Sequence, residues 1–143
     1  MFNIINQTRA QHNLPAYSLS SVQSNGTGPC VGSYGHSVAM AKSGTIWHIA
    51  PNDNPSGPQN PASFPNDLCV SHSAGGENVG AFASGNELTD LQSMHQEMMS
   101  EGYAPGCSGS HACNILSSQY VEVGIGIYES GGETWLTEDF IRP

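Results

Sequence analysis

Apolar and polar positions along the chain fall into three regimes. Phe2, Ile5, Arg9 and His12 recur at three- and four-residue spacing, predicting a short amphipathic helix that Leu14-Pro15 ends. Between Ser18 and Gly35 the composition turns to Ser, Gly, Asn and Pro, which reads as a loop with turns at Asn25-Gly26 and Gly28-Pro29. His36-Ser37-Val38-Ala39-Met40-Ala41 resumes helical character until Gly44, and Ile46-Trp47-His48 follows as an extended apolar segment. Five of the nine prolines lie within 50–68, a stretch expected to be an ordered loop without regular structure.

Leu88, Leu91, Met94, His95 and Met98 form a helical stripe, predicting a helix from about Glu87 to Glu101, with Ser84 and Glu87 at capping-box spacing. The period then drops to two. Val121, Val123, Ile125 and Ile127 alternate with Glu122, Gly124, Gly126 and Tyr128, a strand with one buried face. Ser130-Gly131-Gly132 supplies a hairpin turn into Thr134-Trp135-Leu136-Thr137. The fold class is therefore α+β, in one domain spanning 1–143.

Charge narrows the functions available. Three basic residues stand against twelve acidic ones, for a formal net charge of -9. Such a chain has no electrostatic footprint for nucleic acid or an anionic membrane surface. No stretch approaches the roughly 20 apolar residues that span a bilayer. Cys107 and Cys113 enclose a short polar loop suited to closure by a disulfide, leaving Cys30 and Cys69 as a second pair, one of three possible connectivities. Four cysteines with few lysines point to a secreted protein, and we expect a leader to have been removed. A Cys/His zinc site is the weaker alternative because no C-x-x-C pair occurs.

The candidate chemistry centres on Gly75-Gly76-Glu77-Asn78, read as a tight turn that carries an acid and an amide. His48, His72 and His111 are candidate metal ligands or general bases, and Glu97 and Glu101 share a helix face one turn apart. The competing reading makes each histidine a surface or satisfied polar residue. His12, His36 and His95 read as packed or half-exposed helix positions, and Met94 and Met98 as core filling. No H-E-x-x-H, nucleophile elbow or P-loop is present.

Five stretches, in order, resemble the CAP superfamily, the cysteine-rich secretory protein, antigen 5 and pathogenesis-related 1 group, and are most similar to its bacterial SCP-like extracellular domains. They are Ile5 to His12, His36 to His48, Gly76-Glu77-Asn78-Val79, His111-Ala112-Cys113-Asn114-Ile115-Leu116, and Val123-Gly124-Ile125-Gly126 with Trp135 to Phe140. The resemblance implies a three-layer α-β-α sandwich with a central antiparallel sheet and a cleft lined by two histidines and two acids. It makes Glu77 the Gly-Glu-Asn acid and His111 the second histidine. His48 matches the bacterial first histidine and His72 the plant and animal one; Glu101 matches the second acid better than Glu97, although the tryptophan of that motif is absent. The resemblance leads us to expect a secreted, monomeric binding module whose cleft holds a divalent metal, zinc first. A metal-dependent peptidase or esterase using the same cleft, with Glu77 or Glu101 catalytic, and a lipid or sterol carrier are the alternatives.

Overall fold

The computed structural model describes residues 1–48 and 68–143. The proline-rich loop expected at 50–68 lies outside them, apart from Leu68. The described residues form five helices and one four-stranded sheet. In chain order these are α1 (Phe2–Gln11), β1 (Ser18–Leu19), α2 (Ser21–Asn25), α3 (Gly32–Ser43), β2 (Ala74–Phe82), α4 (Glu87–Ser100), α5 (His111–Ile115), β3 (Glu122–Ser130) and β4 (Glu133–Arg142). The sheet order is β1-β3-β4-β2. β2, β4 and β3 pair antiparallel, but the two-residue β1 joins β3 in parallel, so the expected antiparallel sheet carries a short parallel edge.

Alternation along β4 assigns the two faces. Leu136 and Phe140 pack with Ile5, Leu91, Met94, Met98, Ile115 and Val123, beneath α1, α4 and α5. Trp135 points the other way, into a smaller cluster with Met40, Trp47 and Val79 on the α3 side. The result is a helix-sheet-helix sandwich whose strand β4 is buried on both faces. β3 is covered on its second face as well through Gly126, and only its end, Glu129 and Ser130, is exposed. Its glycines lie against α2 and α3, where a Cβ on Gly124 would strike Gln23 and one on Gly126 would overlap the Ser33 backbone. The expected single buried face of this strand is thus corrected: glycine occupies the second face because a helix lies on it.

Three other expectations are revised. The 18–35 loop contains β1 and α2, elements of two and five residues, too short to leave a periodic signature. Asn86, not Ser84, caps α4 by accepting from Thr89 N–H at 2.9 Å, and Leu88 is exposed rather than part of the buried stripe. The Gly75-Gly76-Glu77-Asn78 stretch is no turn but part of β2, with Glu77 opposite Asp139 and Asn78 opposite Glu138. Its glycines serve close approach: a Cβ on Gly76 would lie 2.6 Å from the Tyr120 hydroxyl, and one on Gly80 2.9 Å from the Met94 sulfur.

Both disulfides form as expected, Cys30–Cys69 and Cys107–Cys113. The hairpin turn also stands, with Gly131 and Gly132 at φ 64° and 82° closing a two-residue connection. Among the described residues no helix is long and apolar enough to cross a membrane.

Candidate functional site

Because β2 is an edge strand, side chains from the two helical layers can meet beyond it. From the α3 side comes His48, from the α5 side His111. Their rings stack with centroids 6.5 Å apart and planes 26° apart. Each ring is held by a carboxylate at the same atom. His48 Nδ1 lies 2.8 Å from Glu77 Oε1, and His111 Nδ1 lies 2.6 Å from Glu101 Oε1.

These positions are fixed by the fold. Alternation in β2 turns Glu77 toward α3 and Asn78 toward α4. Asn114 of α5 donates to the Glu77 backbone carbonyl at 3.1 Å and to Asn78 Oδ1 at 2.9 Å, and Asn78 donates to the His111 carbonyl at 3.3 Å. The amide ladder thus ties His111 to the strand that carries Glu77. Glu101, just past α4, receives the His111 backbone N–H at 2.8 Å. Arg9 anchors the far end of α5 by donating to the Ile115 and Ser117 carbonyls, and the Cys107–Cys113 bridge closes the loop before it.

His36 completes the group, in a contact the sequence pattern did not reveal. It is a packed helix residue, as expected, but its Nδ1 lies 2.9 Å from Glu77 Oε2, so Glu77 is gripped from both sides. The signal was available in the composition of one helix stripe. Ser33, His36, Ser37 and Met40 repeat at helical spacing and all are buried, so the inward face of α3 is largely polar. It meets polar partners on the sheet: Ser33 Oγ donates to Asp139 at 2.6 Å and Ser37 Oγ to Thr137 at 2.9 Å.

Burial alone would raise the Glu77 carboxyl, but hydrogen bonds from His36 and His48 outweigh it and hold the group below the usual carboxylate range. Glu77 is therefore ionised at neutral pH. On the opposite face Glu138 behaves in reverse: burial pushes it up to about 7, against one hydrogen bond from Asn78 at 2.9 Å.

The other candidates fall outside this group or at its rim. His72 turns its Nδ1 to the Val70 carbonyl at 2.8 Å and lies against Gly75. Glu97 is exposed and lines, with Glu101 and His111, a cavity of about 180 Å³ floored by Val79, Ala81, Met94 and Met98. Among the described residues no three His, Cys, Asp or Glu side chains form a ready metal cluster. A cation at this site would draw two protein ligands, Nε2 of His48 and of His111. Two imidazoles sharing one tetrahedral zinc have centroids about 5 Å apart. The observed separation is 6.5 Å, about 1.5 Å wider, so the two rings would have to close on a shared cation. The donor set fits a metal that keeps open positions for solvent or a guest ligand.

No family model matches the chain, and no curated protein sequence does. Solved structures do. An extracellular protein containing an SCP domain from Bacillus anthracis superposes with a TM-score of 0.67 at 22% identity, over 99% of this chain and 39% of that one. The present chain thus spans well under half the length of that protein. An outer surface protein from Borrelia burgdorferi gives a TM-score of 0.67 at 9% identity, covering 99% of this chain and 88% of that one. Venom allergen-like protein 4 from Schistosoma mansoni gives 0.56 at 10% identity, covering 99% and 83%. The chain has the CAP/SCP-like fold.

Proposed function

We propose that this is a secreted binding module whose cleft holds a divalent cation, zinc first, through Nε2 of His48 and His111. The observation that carries the reading is the matched pair of carboxylate-held imidazoles. Glu77 and Glu101 occupy the two Nδ1 positions, which fixes the tautomer, orients each ring and leaves Nε2 as the coordinating atom. Two protein ligands leave coordination positions open, and a guest molecule in the adjoining cavity would complete them. When bound, the metal would act there as a Lewis-acidic anchor for an oxygen or nitrogen donor.

A binding role is favoured over hydrolysis by the state of Glu77. A general base needs a free carboxylate oxygen in reach of water. Glu77 is buried with an imidazole nitrogen at each oxygen. The cavity beside His111, about 180 Å³ and lined in part by Glu97 and Glu101, has the size and polarity for an ion or small polar group. Secretion is supported by the two disulfides and by solved relatives described as extracellular or outer-surface proteins.

Isothermal titration with zinc tests the proposal on the wild-type chain and on His111→Ala. Saturable binding that the substitution abolishes is expected; indistinguishable heats would sink it.

A further inference from the structure

β2 closes one side of the sheet, and among the described residues no further strand pairs with it. Backbone groups in such a strand point alternately to its two sides. At Gly75 and Glu77 they point away from β4: the Gly75 carbonyl accepts from the Tyr120 hydroxyl at 3.1 Å, and the Glu77 carbonyl from Asn114 Nδ2 at 3.1 Å. Val79 and Ala81 continue the same series, and among the described residues nothing bonds to their outward N–H and C=O groups. The outer edge is thus capped by side chains over its first half and bare over its second. Beside the bare half lies a slot between the two helical layers. Ile46 forms one wall, Met94, Glu97 and Met98 the other, and Val79, Gly80 and Ala81 the floor, around a cavity of about 180 Å³. Both oxygens of Glu101 are engaged by His111, at Nδ1 and at the backbone N–H. The exposed Glu97 carboxylate has no partner among the described residues. No cation of this chain answers it: Arg9 donates to the Pro15, Ile115 and Ser117 carbonyls, Arg142 to those of Ser118 and Gln119, and Lys42 belongs to α3 in the other layer.

We propose that the bare part of the β2 edge, from Val79 to Ala81, is a strand-addition site for an extended basic peptide, which pairs its backbone with those two residues and sends one lysine or arginine side chain into the slot toward Glu97. Unpaired strand edges are templates for pairing with another chain. Val79 and Ala81, two positions apart, offer the donors and acceptors of one ladder repeat. Side chains alternate along a paired peptide, so one per repeat enters the slot, and the small cavity suits a single side chain. Charge selects the partner. Glu97 attracts a cation, and a chain with a formal net charge of -9 repels acidic segments, a second copy of itself included. The idea of a guest in this cavity is shared with the binding-module reading, on which the inference rests to that extent, but no part of it uses the cation.

Amide NMR of the ¹⁵N-labelled wild-type chain, with EDTA present to remove metal, provides the test. The probe is an end-blocked hexapeptide of alternating valine and lysine; its counterpart alternates valine and glutamate. The expected result is saturable binding of the lysine peptide that slows hydrogen exchange at the Val79 and Ala81 amides and leaves Gly80, whose N–H faces β4, unaffected. Glu97→Gln, at an exposed helix position, should weaken that binding about two- to fivefold, as loss of one exposed ion pair does. The glutamate peptide should not bind. No saturable binding, protection confined to other amides, equal affinity for the two peptides, or wild-type affinity in Glu97→Gln would each overturn the proposal. So would concentration-dependent protection of Val79 and Ala81 in the chain alone, which would assign the edge to a second copy. A chain that takes zinc but not the lysine peptide loses the strand-addition site and keeps the cation; one that takes the peptide but not zinc does the reverse.

Discussion

Glu138 sits at the centre of β4 with no exposed surface, one oxygen accepting from Asn78 and the other without a hydrogen-bond partner. Burial is the main reason its carboxyl stays protonated to about 7, against an ordinary 4.5. The folded state therefore binds this proton more tightly than the unfolded chain. Its contribution is fully present below the unfolded value and is lost as pH rises through the folded one. The gap between 4.5 and about 7 amounts to about 3 kcal/mol of unfolding free energy lost between roughly pH 4.5 and 8. Glu138→Gln removes the proton and keeps the shape and the acceptor for Asn78. Urea unfolding of wild type and variant at half-unit pH steps from 5 to 8 isolates the term by difference. His95, which burial lowers, changes stability in the opposite sense over part of this window, but it is common to both proteins and cancels. The expected result is a stability difference that shifts in the variant's favour by about 3 kcal/mol across the range. Parallel profiles would refute the reasoning and mean that Glu138 is ionised in the folded state at pH 5.

Other consequences arise from packing and charge. Gly126→Ala should prevent folding or cost more than about 3 kcal/mol, because the new Cβ meets immovable Ser33 backbone. Gly76→Ala, which meets the movable Tyr120 hydroxyl and Asn114 amide, should cost only about 1–3 kcal/mol; thermal unfolding ranks the two. Removing the Cys30–Cys69 bridge, which spans 39 residues, should cost about 4 kcal/mol, against about 2 kcal/mol for Cys107–Cys113, which spans 6, as read from denaturant midpoints of the double-alanine variants. Glu77→Gln removes the buried carboxylate that the His36 and His48 ring nitrogens face, so it should cost about 3 kcal/mol at neutral pH. Since hydrogen bonding holds the native carboxyl low, the wild-type advantage should fade as pH drops below the ordinary carboxylate range.

Elements with one apolar stripe or a clean alternation were legible in the chain. The helices at Phe2–Gln11 and Glu87–Ser100 match their patterns because each has a solvent side to contrast with its buried one, whereas the hairpin was marked by its turn glycines, Gly131 and Gly132. β2 has no such contrast. Its central residues are buried on both faces and its glycines are demanded by Tyr120 and Met94, so Ala-Gly-Gly-Glu read as a turn. His36 was hidden for a related reason. Its partners, Trp47 and Glu77, lie 11 and 41 positions away and meet it only when α3 lies on the sheet. The residues His48, Glu77, Glu101 and His111 could be nominated from the motifs, whereas which carboxylate holds which ring depends on β2 being an edge strand.

The central claim is that His48 and His111 hold one cation between their Nε2 atoms. Zinc-edge anomalous diffraction from crystals equilibrated with zinc tests it most directly. The account predicts one dominant peak about 2.0–2.1 Å from Nε2 of both residues, with Glu77 and Glu101 still at the Nδ1 atoms. A peak at His72, a peak ligated by the Glu77 carboxylate itself, or no peak in the cleft would contradict it.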